Sequence, residues 1–291
     1  MAELTATQLV IEEIISEIES RMSSEANEVI TMKLIETSIK QLCSQQDIVA
    51  TFTLDEEDVI LVMDGHGHNV AVDVLKNITD LEEHFKKDDP AESLQQVIDI
   101  EVDKKKKESD LLTYISGTSY RDYMKSKISD KDVRSSGATL SFAKIKRDLL
   151  SRSVKISLEW LGDSPIIVFI NGELVFESEI HHASNKTEIQ RLQDKGAFKR
   201  IQAGSGGFNV INHDTIESKP GDYVVFTNNA QLAVTRSLGH ERISGIETQK
   251  QIIECSIEDD VKILILSDGV GDMMTKSDDL EKLKLYSASE L

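Results

Sequence analysis

The sequence predicts an α+β fold: two antiparallel β-sheets packed face to face as a sandwich, flanked by helices. Three observations predict it. Apolar segments of strand length recur between residues 47 and 266. Several alternate apolar and polar residues, and Asn171-Gly172 stands between two of them as a two-residue hairpin turn. Two longer stretches carry a helical pattern instead.

Taken in order, residues 7–22 place Ile11, Ile14, Ile15, Ile18 and Met22 at helical spacing, with Glu12, Glu13, Glu17 and Glu19 between them. This is an amphipathic helix, read as a separate N-terminal element over residues 1–28. It either caps the domain or docks a partner. The remaining residues, 29–291, are read as one domain. Apolar segments at 47–52 and 59–63 flank Asp55-Glu56-Glu57-Asp58, a solvated hairpin tip. Residues 70–85 and 91–115 look helical, with the four lysines at 104–107 on an exposed face. Strand patterns return at 138–145, 154–160, 166–170, 174–176, 223–226 and 261–266. The region of about 183–216 differs: a helix at 186–195 leads into Gly204-Ser205-Gly206-Gly207. That loop lacks the GK[ST] ending of a phosphate-binding loop and reads as a surface flap.

Acidic residues (52) outnumber basic ones (33), for a net charge of -19. So negative a surface disfavours nucleic acid and anionic membranes, both of which are bound through basic contacts. Cys43 and Cys255 lie far apart, which suggests neither a zinc ribbon nor a disulfide framework. Membrane-spanning apolar runs and a secretory leader are not evident. A soluble cytoplasmic protein is expected, with the nucleus left open.

Four strings carry the chemistry. Val-Met-Asp-Gly-His-Gly (62–67), Trp-Leu-Gly-Asp-Ser (160–164) and Leu-Ser-Asp-Gly-Val-Gly-Asp-Met-Met (266–274) each release an aspartate at a glycine turn after an apolar strand. Leu-Ala-Val-Thr-Arg-Ser-Leu-Gly (232–239) carries arginine in its place. A carboxylate at a strand end is costly unless it is exposed or meets a cation. Asp64, Asp163, Asp268 and Asp272 are therefore candidate ligands, and the carbonyl of Gly65 is a further hard oxygen. Oxygen-rich clusters suit Mg²⁺ or Mn²⁺. This many carboxylates calls for two or three ions, which points to a metal-dependent hydrolase acting on a phosphate ester. His66, beside Asp64, is placed to protonate a leaving alkoxide.

These strings, in this order, resemble the type 2C metal-dependent serine/threonine protein phosphatases. Asp64-Gly65-His66-Gly67 resembles the DGHGG element and Ser136-Gly137-Ala138-Thr139 the SGxTA strand. Trp160-Leu-Gly-Asp163-Ser164 resembles W-x-GDSR, residues 232–239 resemble LAVSRALGD, and residues 266–274 resemble LASDGLWDVM. The stretch from His182 to Gly196 resembles the DH…E..RI..G segment. The resemblance covers roughly residues 35–275. It implies a β-sandwich flanked by helices, with a Mg²⁺ or Mn²⁺ pair at one end. Asp64 would bridge the metals, Gly65 would offer its carbonyl, and Asp268 would ligate one ion. Asp163 and Asp272 would hold a third, and Asp47 would contact metal directly or through water. His66 matches the general acid, and the substrate would be a phosphorylated protein.

The pattern breaks in several places. The resemblance leads one to expect an arginine a few residues before Asp47 to hold the substrate phosphate, but only Lys40 is basic there, and Gln46 stands where many members have glutamate. His68, Pro165 and Gly271 replace a glycine, an arginine and a tryptophan. After Asp272 the acids are Asp278, Asp279 and Glu281, in a polar segment without the closing Asp-Asn strand. This implies either a truncated product or weaker metal binding. The expectation is an Mg/Mn-dependent protein phosphatase. The alternatives left open are a pseudophosphatase serving as a binding or regulatory module, and a hydrolase of small phosphoesters.

Overall fold

The computed structural model describes residues 46–115, 130–195, 198–204, 207–210, 222–226 and 231–268. The expected N-terminal helix and Asp272 lie outside the described residues.

The first described elements form a hairpin, β1 (Ile48–Leu54) and β2 (Glu57–Met63). Its turn is tighter than the acidic run suggests. Only Asp55 and Glu56 lie in it, both at positive φ, while Asp58 belongs to β2 and pairs with Arg147. Further along, β5 (Leu140–Asp148) and β6 (Ser153–Leu161) continue the sheet, and β14 (Gln249–Ser256) closes it in the order β1-β2-β5-β6-β14. The sequence reading missed β14. Its residues are largely polar and it pairs along one edge only, so little of it is buried.

Both faces of the central strands are covered. Leu61, Met63, Leu140, Phe142 and Leu161 point into one cluster with Ala71, Leu75, Phe85 and Leu94. Those partners come from α1 (Val70–Lys76), α2 (Leu81–Phe85) and α3 (Pro90–Ile115). The apolar stretch at 70–85 is thus two short helices broken at residues 77–80, where Asn77 caps the first. On the opposite face Ala143, Ile156, Leu158 and Trp160 pack against Ile166 and Val168. These belong to a second sheet, β15-β7-β8, built from β7 (Ile166–Ile170), β8 (Glu173–Glu177) and β15 (Val261–Ile265). The result is helix on sheet on sheet, the sandwich that the strand pattern predicts. The hairpin at Asn171-Gly172 is present, with both residues at positive φ as a two-residue turn requires.

Three smaller features complete the described residues. A ribbon, β13-β4-β3, joins β3 (Gly65–Gly67), β4 (Ser136–Ala138) and β13 (Leu238–Gly239), with α4 (Asp130–Arg134) leading into it. A further sheet, β10-β9-β11-β12, comprises β9 (Phe198–Gly204), β10 (Gly207–Val210), β11 (Asp222–Phe226) and β12 (Gln231–Leu232). It follows α5 (Lys186–Lys195). The region read as a flap therefore contains two paired strands, with residues 205 and 206 between them outside the described residues. Finally, residues 240–242 form a single turn in which His240, Glu241 and Arg242 all have positive φ.

Candidate functional site

Asp64 sits where the chain passes from the main sheet into the ribbon. Val62 faces Ser141 in the sheet and Gly65 faces Ala138 in the ribbon, so one antiparallel register runs through the break. At the break Asp64 meets Thr139. The Thr139 N–H donates to the Asp64 carbonyl at 2.9 Å. In return the Asp64 N–H is satisfied by the Thr139 hydroxyl at 3.0 Å, not by a backbone carbonyl. The threonine hydroxyl also bonds the Ser164 hydroxyl at 2.7 Å, and Ser141 donates to the Ser164 carbonyl at 2.7 Å. The turn carrying Asp163 is thereby held beside the strand end carrying Asp64. Pro165, where the resemblance leads one to expect arginine, contributes its carbonyl to the N–H of Leu266 at the end of β15.

That last bond delivers Asp268 to the same place. Its backbone N–H donates to Asp64 Oδ2 at 3.0 Å across a separation of 204 residues. Burial first, and then the carboxylates of Asp268 and Asp47, push the Asp64 carboxyl up to about 8. The structure so brings Asp47, Asp64 and Asp268 within electrostatic reach of one another. Gly65 is buried directly after Asp64. Asp163 lies on the adjoining turn, half-buried.

His66 turns inward. Its Nε2 lies 2.8 Å from Nε2 of His240, with the two rings stacked at 4.9 Å between centroids. Gly137 makes this approach feasible, since a Cβ there would stand 2.2 Å from the His240 Nε2. Burial, and then the neighbouring His240, hold His66 down to about 3, so it is neutral at physiological pH. His68 goes elsewhere, its Nε2 3.3 Å from Asp132.

Beside the site, the arginine of the fourth string finds its partner. Arg236 grips the buried Glu188 of α5 through Nε and Nη2, at 3.1 and 2.5 Å, and donates from Nη1 to the Glu247 carbonyl. Arg191 and Thr235 complete the carboxylate's bonds. Two segments that resemble separate family motifs are thus one ion-pair cluster, and it is a fastening, not part of the carboxylate group.

A model of the family "Protein phosphatase 2C" matches residues 22–281. The chain belongs to this family. No curated protein matches it in sequence. Among solved structures it is similar to a sex-determining protein of C. elegans, at 22% identity and a TM-score of 0.44, over 84% of this chain and 52% of that one. It thus spans about half the length of that relative. It is also similar to the serine/threonine phosphatase PstP/Ppp of Mycobacterium tuberculosis, at 16% identity and a TM-score of 0.44, over 86% and 83% of the chains. Serine-threonine phosphatase 2C of Toxoplasma gondii is similar at 15% identity, with a TM-score of 0.44, over 83% and 84%.

Among the described residues of this protein phosphatase 2C chain, no group of three or more His, Cys, Asp or Glu is arranged to hold a metal ion. The donor chemistry still fits a hard divalent cation. A half-buried carboxylate crowded by two others, beside a buried glycine, is a setting in which Mg²⁺ or Mn²⁺ relieves repulsion. Asp272 lies outside the described residues. No described helix is long and apolar enough to cross a membrane. Sequence reading missed Thr139 as the joint of the site and His240 as the partner of His66. The second had a signal: histidine stands where LAVSRALGD ends in aspartate.

Proposed function

We propose that this chain hydrolyses phosphoserine and phosphothreonine in proteins with the help of Mg²⁺ or Mn²⁺. The observation that carries the reading is the Asp268 N–H bonded to the Asp64 carboxylate, which joins two strand-end aspartates from opposite ends of the described chain. Asp64, Asp268, the Gly65 carbonyl and Asp47 would hold the ions, with Asp163 and Asp272 contributing to a third. When bound, such ions supply a positive field for the phosphate and an activated water. The chain's own residues do the rest. Asp64 and Asp268 orient the donor set, Thr139 fixes the backbone that carries it, and His66 handles a proton for the leaving oxygen.

A second reading, a pseudophosphatase acting as a binding or regulatory module, is favoured by one observation. The described residues contain no ready-made metal group. Hydrolysis of a phosphothreonine peptide, with and without Mn²⁺, separates the two. Mn²⁺-dependent turnover is expected, with Asp64→Asn lowering it by about 100-fold or more, the scale of lost electrostatic groups in active sites. Absence of turnover at saturating Mn²⁺ would leave the binding module.

A further inference from the structure

We propose that the open edge of the main sheet pairs two copies of this chain, with β14 lying antiparallel to its own counterpart about a two-fold axis at Ile252. Among the described residues, no strand lies on the outer side of β14. Its register with β6 runs unbroken from Gln249 opposite Trp160 to Ser256 opposite Ser153. Neither a proline nor a bulge interrupts it, the devices by which edge strands usually avoid one another. Hydrogen bonds at its end show which residues face outward. The Ile257 N–H donates to the carbonyl of Arg152, in the β5–β6 turn, at 3.0 Å. The Ser256 N–H turns away instead, to Asp259 at 2.8 Å. Backbone groups alternate in direction along an antiparallel strand, so Lys250, Ile252 and Glu254 aim their N–H and C=O groups at the open side. The Ile252 carbonyl agrees: it takes a hydrogen bond from the carboxamide of its neighbour Gln251 at 2.9 Å.

The side chains select the partner and the register. Ile253 and Cys255 pack into the sandwich, which leaves Lys250, Ile252 and Glu254 exposed together on the other face. Ile252 is 54% exposed, an apolar side chain in water between two charges. With the axis at Ile252, that side chain meets its own copy, and Lys250 stands opposite Glu254 of the partner subunit on both sides of the axis. Within the chain Lys250 already lies opposite Glu159, Nζ to Oε2 at 3.2 Å, and Glu254 lies opposite Lys155. Across the joint the row therefore alternates in sign: Glu159, Lys250, Glu254 of the partner subunit, Lys155 of the partner subunit. A lysine on an edge strand ordinarily repels a second strand; here it meets a carboxylate. Moving the axis by one residue sets Ile252 against Lys250 or Glu254 and breaks the row. The pairing joins two five-stranded sheets into one. A single strand edge is a small interface, so the dimer is weak, with a Kd on the order of micromolar.

Sedimentation velocity of the full chain, from about 1 to about 300 µM, tests this. The wild type should pass from monomer to dimer across that range. A monomer throughout overturns the proposal and leaves the edge to a strand from another protein. Ile252→Lys, at an exposed position, should raise the Kd about tenfold or more, because two ammonium groups then meet at the axis. Two further variants test the register. Lys250→Glu alone and Glu254→Lys alone each set like charges opposite one another and should weaken self-association by about tenfold or more. Mixed in equal amounts they should dimerise again, since each chain then offers the other the opposite charge on both sides of the axis. Circular dichroism establishes that each variant is folded before it is mixed. Folded variants that self-associate as tightly alone as when mixed, or a mixture that stays monomeric, overturn the pairing through β14.

Discussion

Thr139 holds three segments with one small side chain. Its hydroxyl satisfies Asp64 and Ser164, while its methyl group lies where a side chain at residue 162 would have to go. Gly162 has φ of +107° and a Cβ there would come within 2.6 Å of Thr139 Cγ2. Gly172 has φ of +78° but open space around it. Two substitutions therefore separate conformational cost from crowding. Gly172→Ala should cost about 1 kcal/mol, the price of a left-handed residue alone. Gly162→Ala should cost more, about 2–4 kcal/mol, because the clash falls on the β-branched Thr139 side chain whose hydroxyl joins the site. Urea melts of the two variants measure this, and equal losses would contradict the assigned role of Thr139. The identity of Thr139 is plain in the sequence. Its job is not, because the partners of a side chain at a sheet break depend on the register of the strand opposite.

Among the elements, α5 depends most on a single buried pair. Its Glu188 is almost wholly buried and bonded by Arg236, Arg191 and Thr235. Burial alone would raise this carboxyl, but the hydrogen bonds from Arg236 and Arg191 overcome it and hold it down to about 2. Its ordinary value is 4.5, so the folded state binds this proton more weakly than the unfolded one. The stabilisation is complete above about pH 4.5 and is lost as pH falls toward 2. Glu188→Gln leaves two guanidinium groups without their charge partner and should cost about 3–5 kcal/mol at neutral pH. Thermal melts at about pH 7 and about pH 3 check both statements: the variant's deficit should shrink at the lower pH. The helix itself, at residues 186–195, is legible from its sequence pattern. Its anchor is not, since Glu188 and Arg236 are separated by 48 residues.

Across the whole molecule, the site depends on two sheets ending at the same place. The first sheet brings Asp64 and the Asp163 turn; the second, through β7 and β15, brings Asp268. The cost of that meeting is visible in Asp64. Its carboxyl rises from 3.8 to about 8, so the metal-free fold binds this proton more tightly than the unfolded chain. Its stability should therefore fall as pH rises from about 4 to about 8. A divalent cation reverses the repulsion. Mn²⁺ at about 100 times its Kd should add about 2.7 kcal/mol, and Tm should rise more at about pH 8 than at about pH 5. Calorimetry with Mn²⁺ and with EDTA reads this directly; identical Tm values in both would count against a cation at Asp64. The sequence by itself determined the strand ends, the Asn-Gly hairpin and the aspartates that leave the sheets, because an apolar run closed by Asp-Gly is a local signal. Only the tertiary structure decided that Asp64 and Asp268 touch, that His66 leans on His240, and that Arg236 fastens a helix. Each of those contacts joins residues tens to hundreds of positions apart, and sheet register, which no local pattern encodes, sets their distance.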